Sequence, residues 1–145
     1  MVKLAIGGNP MFLVDTREID RGGVSYTIDS VRSIADENPD SQLYLLMGAD
    51  AIVDIAKWKE PIELFRLLTP CVISRGGVGE PKWDVLKPYV DAKALSEIES
   101  AKVAAPQVEI SSYDLRLRVK QGKSIRYQVP RSVEIFILEH RLYRS

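Results

Sequence analysis

The chain has 145 residues, 46% of them hydrophobic and 28% charged, which suits one domain with a real core and is unlike a disordered or membrane chain. Twenty basic residues balance twenty acidic ones, so no global pull toward nucleic acid or acidic lipid is expected and an anion site has to be local. The single cysteine, Cys71, excludes an intrachain disulfide and a cysteine-based zinc site, and the single histidine, His140, excludes any motif that needs two.

No apolar run approaches the roughly 18 residues of a spanning helix. The opening stretch breaks at Gly7-Gly8-Asn9-Pro10 before a signal-peptide core could form, so the cytoplasm is the expected compartment. Val2, Ala5 and Ile6 fall at helical spacing and predict the end of a helix over residues 1–7. Phe12-Leu13-Val14 with Thr16, Glu18 and Ile19 predicts a strand, and Arg21-Gly22-Gly23 a turn. Ile28, Val31, Ile34 and Ala35 predict an amphipathic helix that starts at Ser25 or Thr27 and stops at Asn38-Pro39-Asp40.

Leu43-Tyr44-Leu45-Leu46-Met47 is a continuous apolar run, the pattern of a strand buried on both faces. A short helix over 50–56 follows, then a second opened by Pro61 with Ile62, Leu64, Phe65 and Leu68 inward. Cys71-Val72-Ile73-Ser74 predicts another buried strand, running into the glycine-rich stretch Arg75-Gly76-Gly77-Val78-Gly79. Residues 81–105 read as helical, with a capping-box pattern from Ser96 to Glu99, and Val108-Glu109-Ile110 as a third strand. A helix over 112–121 ends at Gly122, and a last one begins at Pro130 with Val133, Phe136, Ile137 and Leu138 inward. The alternation implies a single α/β domain over 1–145 with a mainly parallel sheet. In such sheets ligands bind beyond the carboxyl ends of the strands, which selects Gly48–Asp50, Arg75–Gly79 and Ser111–Arg116.

Ile110-Ser111-Ser112-Tyr113-Asp114-Leu115-Arg116 carries the strongest local signal. A helix N-terminus presents unpaired N–H groups and about half a positive charge, so Ser111, Ser112 and Arg116 together could hold a phosphate. Ser111 reads equally well as a cap paired with Asp114, and capping serines are the commoner case. Gly48 leaves a backbone open to a ligand, with the Asp50 carboxylate beside it to accept from ribose hydroxyls; a helix-capping aspartate has the same pattern. Trp58 either packs onto the core or stacks on a flat ring. Arg116, Arg118, Lys120, Lys123 and Arg126 form the most basic stretch, but without interleaved aromatics a solvated helix face explains them better than RNA does. Gly122-Lys123-Ser124 lacks the earlier glycine of a P-loop, since Leu117 stands there, and Gly76-Gly77-Val78-Gly79 does not fit GxGxxG. His140 has no histidine or cysteine partner and reads as a polar group at the end of the last helix.

In chain order, Met1-Val2-Lys3-Leu4-Ala5-Ile6, Asn9-Pro10, Glu18 through Arg21, Ser25-Tyr26-Thr27-Ile28-Asp29, Met47-Gly48-Ala49-Asp50, Trp58, Val72-Ile73-Ser74-Arg75, Ile110 through Arg116, and Leu138-Glu139-His140-Arg141-Leu142-Tyr143 resemble the bacterial nicotinate-nucleotide adenylyltransferase family. The resemblance implies a Rossmann-like nucleotidyltransferase sheet and a reaction in which the 5′-phosphate of nicotinate mononucleotide attacks the α-phosphorus of ATP, releasing pyrophosphate, with Mg2+ expected. It implies that Ser111, Ser112 and Arg116 hold ATP phosphates and that Gly48 and Asp50 lie by a ribose. Trp58 would stack on the nicotinate ring, the Thr27 and Lys59 amides would take its carboxylate, and Arg75 is a further phosphate candidate.

Two departures stand out. Tyr113 occupies a position where the family has a small Thr or Ser, and the family's N-terminal strand, GGxFxPxHxGH loop and following helix have no counterpart in these 145 residues. That strand lies in mid-sheet, so an oligomer or a rearranged sheet is expected, together with little transfer by the chain alone. A non-catalytic nucleotide-binding or interaction module derived from the family is the alternative, separable by an in-frame GGxFxPxHxGH upstream of Met1. Neither membrane nor nucleic acid is an expected partner, and an RNA-binding domain built on 116–126 would betray itself by salt-sensitive binding.

Overall fold

The structure is a computed structural model that describes residues 1–75, 81–106 and 108–144. Its elements in chain order are α1 (Val2–Ala5), α2 (Arg17–Arg21), α3 (Thr27–Glu37), β1 (Leu43–Gly48), α4 (Ala49–Val53), a 3-10 turn at Ile55–Lys57, α5 (Pro61–Leu67), β2 (Leu68–Arg75), a 3-10 turn at Trp83–Leu86, α6 (Ala92–Ser100), β3 (Val103–Ala105), α7 (Ser112–Lys120) and α8 (Arg131–Glu139). These form two compact units, Arg17–Gln107 and Met1–Thr16 with Val108–Ser145.

The first unit holds a parallel sheet in the order β1-β2-β3, with Leu43 opposite Leu68, Met47 opposite Val72 and Ile73 opposite Val103. Parallel register puts Leu43, Leu45 and Met47 on the same face as Leu68, Pro70 and Val72. That face is the core. Leu43 and Leu45 pack with Ile28, Val31, Leu64 and Leu68, and Met47 and Val72 pack with Ile52, Ile55, Leu86 and Ile98. The fold is thus α/β with a parallel sheet, as the alternation of elements predicts. In the second unit, Val119, Ile125, Val133 and Ile137 make a small core between α7 and α8. Ser132 Oγ donates to the Leu4 carbonyl oxygen at 3.0 Å, tying α1 to α8.

Several expectations need correction. Residues 12–16 are not a strand, and α2 occupies Arg17–Arg21 where the strand was to continue. A strand needs a ladder and a face to bury; Leu13 and Ile19 lie exposed. Meanwhile Glu18 accepts from Ser30 Oγ at 2.6 Å, and Arg17 pairs with Glu37 at 3.0 Å, so polar contacts to α3 set this segment instead. β1 is buried on one face only: Tyr44 and Leu46 are 58% and 62% exposed, so its continuous apolar run conceals a two-residue alternation. Ile62 and Leu138 likewise face outward.

The long helix over 81–105 is instead a 3-10 turn, α6 and β3. Pro88 interrupts the helical pattern, and the helix restarts at Asp91, whose carboxylate accepts from the Ala94 amide at 2.8 Å. Ser96 and Glu99 fall inside α6 and cap nothing. The third strand is Val103–Ala105, with 108–110 irregular. Val103-Ala104-Ala105 and Val108-Glu109-Ile110 lie on either side of Pro106, both too short for periodicity to choose between them. α3 starts at Thr27, with Tyr26 at the cap and no side-chain cap bond. The stretch 76–79 lies outside the described residues, as does the Arg75 side chain; the Arg75 backbone closes β2 opposite Ala105.

Candidate functional site

In the first unit the carboxyl end of β1 runs directly into α4 through Gly48, which is extended at φ −74°, ψ 155°. A Cβ on Gly48 would overlap Asp50 Oδ1, so the absent side chain leaves room for the carboxylate to fold back over the strand mouth. Asp50 itself is exposed. Beyond the 3-10 turn, Trp58 is half-buried and packs against both core groups, that of Met47, Ile52 and Ile55 and that of Ile28 and Leu64. The core-packing reading of Trp58 is therefore realised, with part of the side chain left accessible.

Lys59 reaches across to the first turn of α3. Its Nζ donates to both Asp29 oxygens at 3.0 and 3.2 Å and lies 4.7 Å from the centre of the Tyr26 ring. Glu60 adopts a left-handed backbone at φ 51°, ψ 57° and pairs with Arg32, at 2.6 Å to Nη2 and 3.4 Å to Nη1. The hydrogen bond from Arg32 holds the Glu60 carboxyl below the usual carboxylate range, and the same bond raises Arg32. In α3 the first bonds run from the Asp29 and Ser30 amides to the Tyr26 carbonyl, so the Thr27 and Ile28 amides precede the ladder. The Lys59–Asp29 contact thus brings the Trp58-Lys59 turn to the start of α3, where Thr27 lies.

In the second unit the Ser111 hydroxyl caps α7, accepting from the Asp114 amide at 3.0 Å and donating to Asp114 Oδ2 at 2.5 Å. The capping reading of Ser111 is realised. Ser112 and Arg116, one turn apart, border an apolar cavity of about 160 Å³ with Leu115, Val119, Ile125 and Val133. Tyr113 points outward, 68% exposed. Arg118 spends its guanidinium on the Ser124 carbonyl, through Nε at 3.0 Å and Nη2 at 2.9 Å, so it ties the following loop instead of forming a free basic face. Gly122, at φ 68°, ends α7 in the left-handed conformation. His140 caps α8, with Nδ1 3.0 Å from the Phe136 carbonyl oxygen and its ring stacked on Phe136.

No protein-family model matches the chain. It is 35% identical over 144 residues to a probable nicotinate-nucleotide adenylyltransferase of Rhodopirellula baltica, covering 99% of this chain and 67% of the relative. Probable nicotinate-nucleotide adenylyltransferases of a Synechococcus strain and of Thermus thermophilus are 41% and 38% identical, over 99% of this chain and 67% and 70% of theirs. The chain belongs to the nicotinate-nucleotide adenylyltransferase family. Among solved structures, it superposes on Plasmodium falciparum nicotinic acid mononucleotide adenylyltransferase complexed with APC, at TM-score 0.64 and 17% identity over 99% of this chain and 73% of that one. The same enzyme complexed with NaAD gives TM-score 0.61.

Asp29, Arg32 and Glu60, which join α3 to the turn that follows Trp58, carry no motif of their own in the sequence. Opposite charges three apart on α3 and adjacent at 59–60 were visible, but their meeting depends on how α3 and α5 pack. Among the described residues no three His, Cys, Asp or Glu side chains gather into a metal-binding group. Magnesium usually keeps several waters and takes one or two carboxylates plus substrate phosphates, so the described side chains do not make a seat for it on their own. No described helix is long and apolar enough to cross a membrane.

Proposed function

We propose that this chain carries the mononucleotide site and part of the ATP site of a nicotinate-nucleotide adenylyltransferase. The observation that carries the reading is the Lys59–Asp29 bridge, which sets Trp58 and the Lys59 amide beside the start of α3. A nicotinate carboxylate would take the Thr27 and Lys59 amides, favoured by the positive end of α3, while Trp58 covers the pyridine ring. Gly48 and Asp50 would face a ribose at the mouth of β1. Ser112 and Arg116, with the amides that Ser111 leaves at the start of α7, would hold the ATP phosphates. Adenylyl transfer needs positioning and charge stabilisation more than covalent chemistry, and these groups supply both.

The family resemblance places two histidines beside the ATP phosphates, and this sequence has one, at the cap of α8. For these 145 residues taken alone, a second reading is binding of the nucleotides without transfer between them. Both readings demand mononucleotide binding. Calorimetric titration with nicotinate mononucleotide is expected to give saturable one-to-one binding below about 1 mM, equivalent to about 4 kcal/mol. Heat no greater than dilution, for both the acid and the amide mononucleotide, would remove the proposal.

β1 is an edge strand: among the described residues only β2 pairs with it. Leu43 through Met47 contain no charge and no proline, the usual protections of an edge, and Tyr44 and Leu46 are exposed there. We therefore expect self-association that grows with concentration in sedimentation experiments. A single monomeric species across about a hundredfold concentration range, a span worth about 2.7 kcal/mol, would contradict it.

A further inference from the structure

Lys59 and Glu60 are consecutive residues of opposite charge, and Asp29 and Arg32 are opposite charges three residues apart on one face of α3. The two pairs match sign to sign: Lys59 on Asp29 at 3.0 Å, Glu60 on Arg32 at 2.6 Å. Both pairs are partly exposed, so as ordinary surface bridges they would do little for global stability. Their setting is unusual. Glu60 precedes Pro61, a position sterically driven toward extended backbone, yet it sits at φ 51°, a region that non-glycine residues seldom occupy. A strained residue persists where its surroundings over-determine it, and the Arg32 fork is what grips this one. The strained turn directly follows Trp58 and the Lys59 amide.

We propose that Arg32 and Glu60 are positioning residues of the mononucleotide site: their ion pair locks the left-handed turn at Glu60 and so fixes the Trp58 ring and the Lys59 amide for the ligand. The inference deepens the mononucleotide reading and rests on it. The ligand meets neither side chain; the pair acts through the backbone of 58–60. Its chemistry is electrostatic, with two donors of a planar guanidinium on one carboxylate, which a lysine reproduces only in charge.

The test uses the whole chain and two readouts. Tryptophan fluorescence follows nicotinate mononucleotide binding, with Trp58→Phe identifying the Trp58 part of the signal against Trp83. Hydrogen exchange of the ligand-free protein reports the Trp58 and Leu64 amides, which donate to the Ile55 and Glu60 carbonyls, each at 3.0 Å. Arg32→Ala and Glu60→Gln are each expected to weaken mononucleotide binding about tenfold, a loss of ~1.4 kcal/mol. Exchange should speed up at Trp58 and Leu64 but not at Val31 or Val72, and Arg32→Lys should recover part of the affinity. Arg17→Ala, which removes the bridge to Glu37 near the other end of α3, is the control and should leave both readouts unchanged. Affinity within twofold of wild type in both variants, or exchange unchanged at Trp58 and Leu64, overturns the proposal while leaving the mononucleotide reading intact. A wild type that does not respond to the mononucleotide overturns both.

Discussion

Trp58→Ala is expected to lower nicotinate mononucleotide affinity by at least about thirtyfold, a loss of ~2 kcal/mol. Ring stacking contributes about 0.5–1.5 kcal/mol beyond the area it buries, and removing the indole also exposes one face of the pyridine to water. The same substitution has a second consequence, because Trp58 packs against both core groups of the sheet unit. Truncating a buried aromatic side chain typically costs about 3–5 kcal/mol, and a half-buried one should sit below that range. Trp58→Phe separates the two effects: it keeps an aromatic face and most of the packing, so stability should hold while affinity falls only several-fold. Urea unfolding followed by circular dichroism reads the first effect and calorimetry the second. If Trp58→Ala folds and binds the mononucleotide as tightly as wild type, the stacking role of Trp58 is wrong.

What could be read from the sequence divides along physical lines. β1, β2 and the helix starts at Pro61 and Ser111 were legible because each rests on a local cause: an apolar run closed by turn residues, a proline at the first helical position, or a serine that caps. Residues 12–19 carry a strand pattern and form none, because a strand is defined by its partner, and the contacts that decide this segment, Glu18 to Ser30 and Arg17 to Glu37, span 12 and 20 residues. β3 was placed five residues late for the same reason, since its register is dictated by Ile73–Arg75.

The site shows the same division. Gly48, Asp50 and Trp58 stand out by their local pattern, and Thr27 and Lys59 enter only through the family resemblance; the roles proposed for all five rest on that resemblance. The charges that hold Lys59 and Glu60 in place were not, because an exposed lysine and glutamate carry no local signature of a partner 28 or 30 residues distant. Ser111 illustrates the opposite limit. Its local pattern suffices to predict the cap, and the cap engages both the donor and an acceptor site of its hydroxyl, so within this motif the proposed phosphate role falls to the Ser112 and Arg116 side chains.

Adenylyl transfer by these 145 residues alone is expected to fall at least about 10⁴-fold below that of a full-length relative such as the Thermus thermophilus protein, of which the chain covers 70%. The transition state places growing negative charge on the pyrophosphate leaving group, and removing a single preorganised donor at such a point typically costs about 10²–10³ in rate. By the family resemblance two histidines act there, and the only histidine of this sequence is bound to Phe136 at the end of α8. Ser112 and Arg116 can bind phosphates, but uniform binding lowers the substrate requirement without accelerating the chemical step. Pyrophosphate release from ATP and nicotinate mononucleotide with magnesium present, measured beside the relative at equal concentration, checks this directly. A rate within tenfold of the relative would mean that these residues assemble a phosphate-activating site without the histidine pair; binding of both nucleotides without measurable release would leave the histidine pair as the part that turns a nucleotide-binding α/β unit into a transferase.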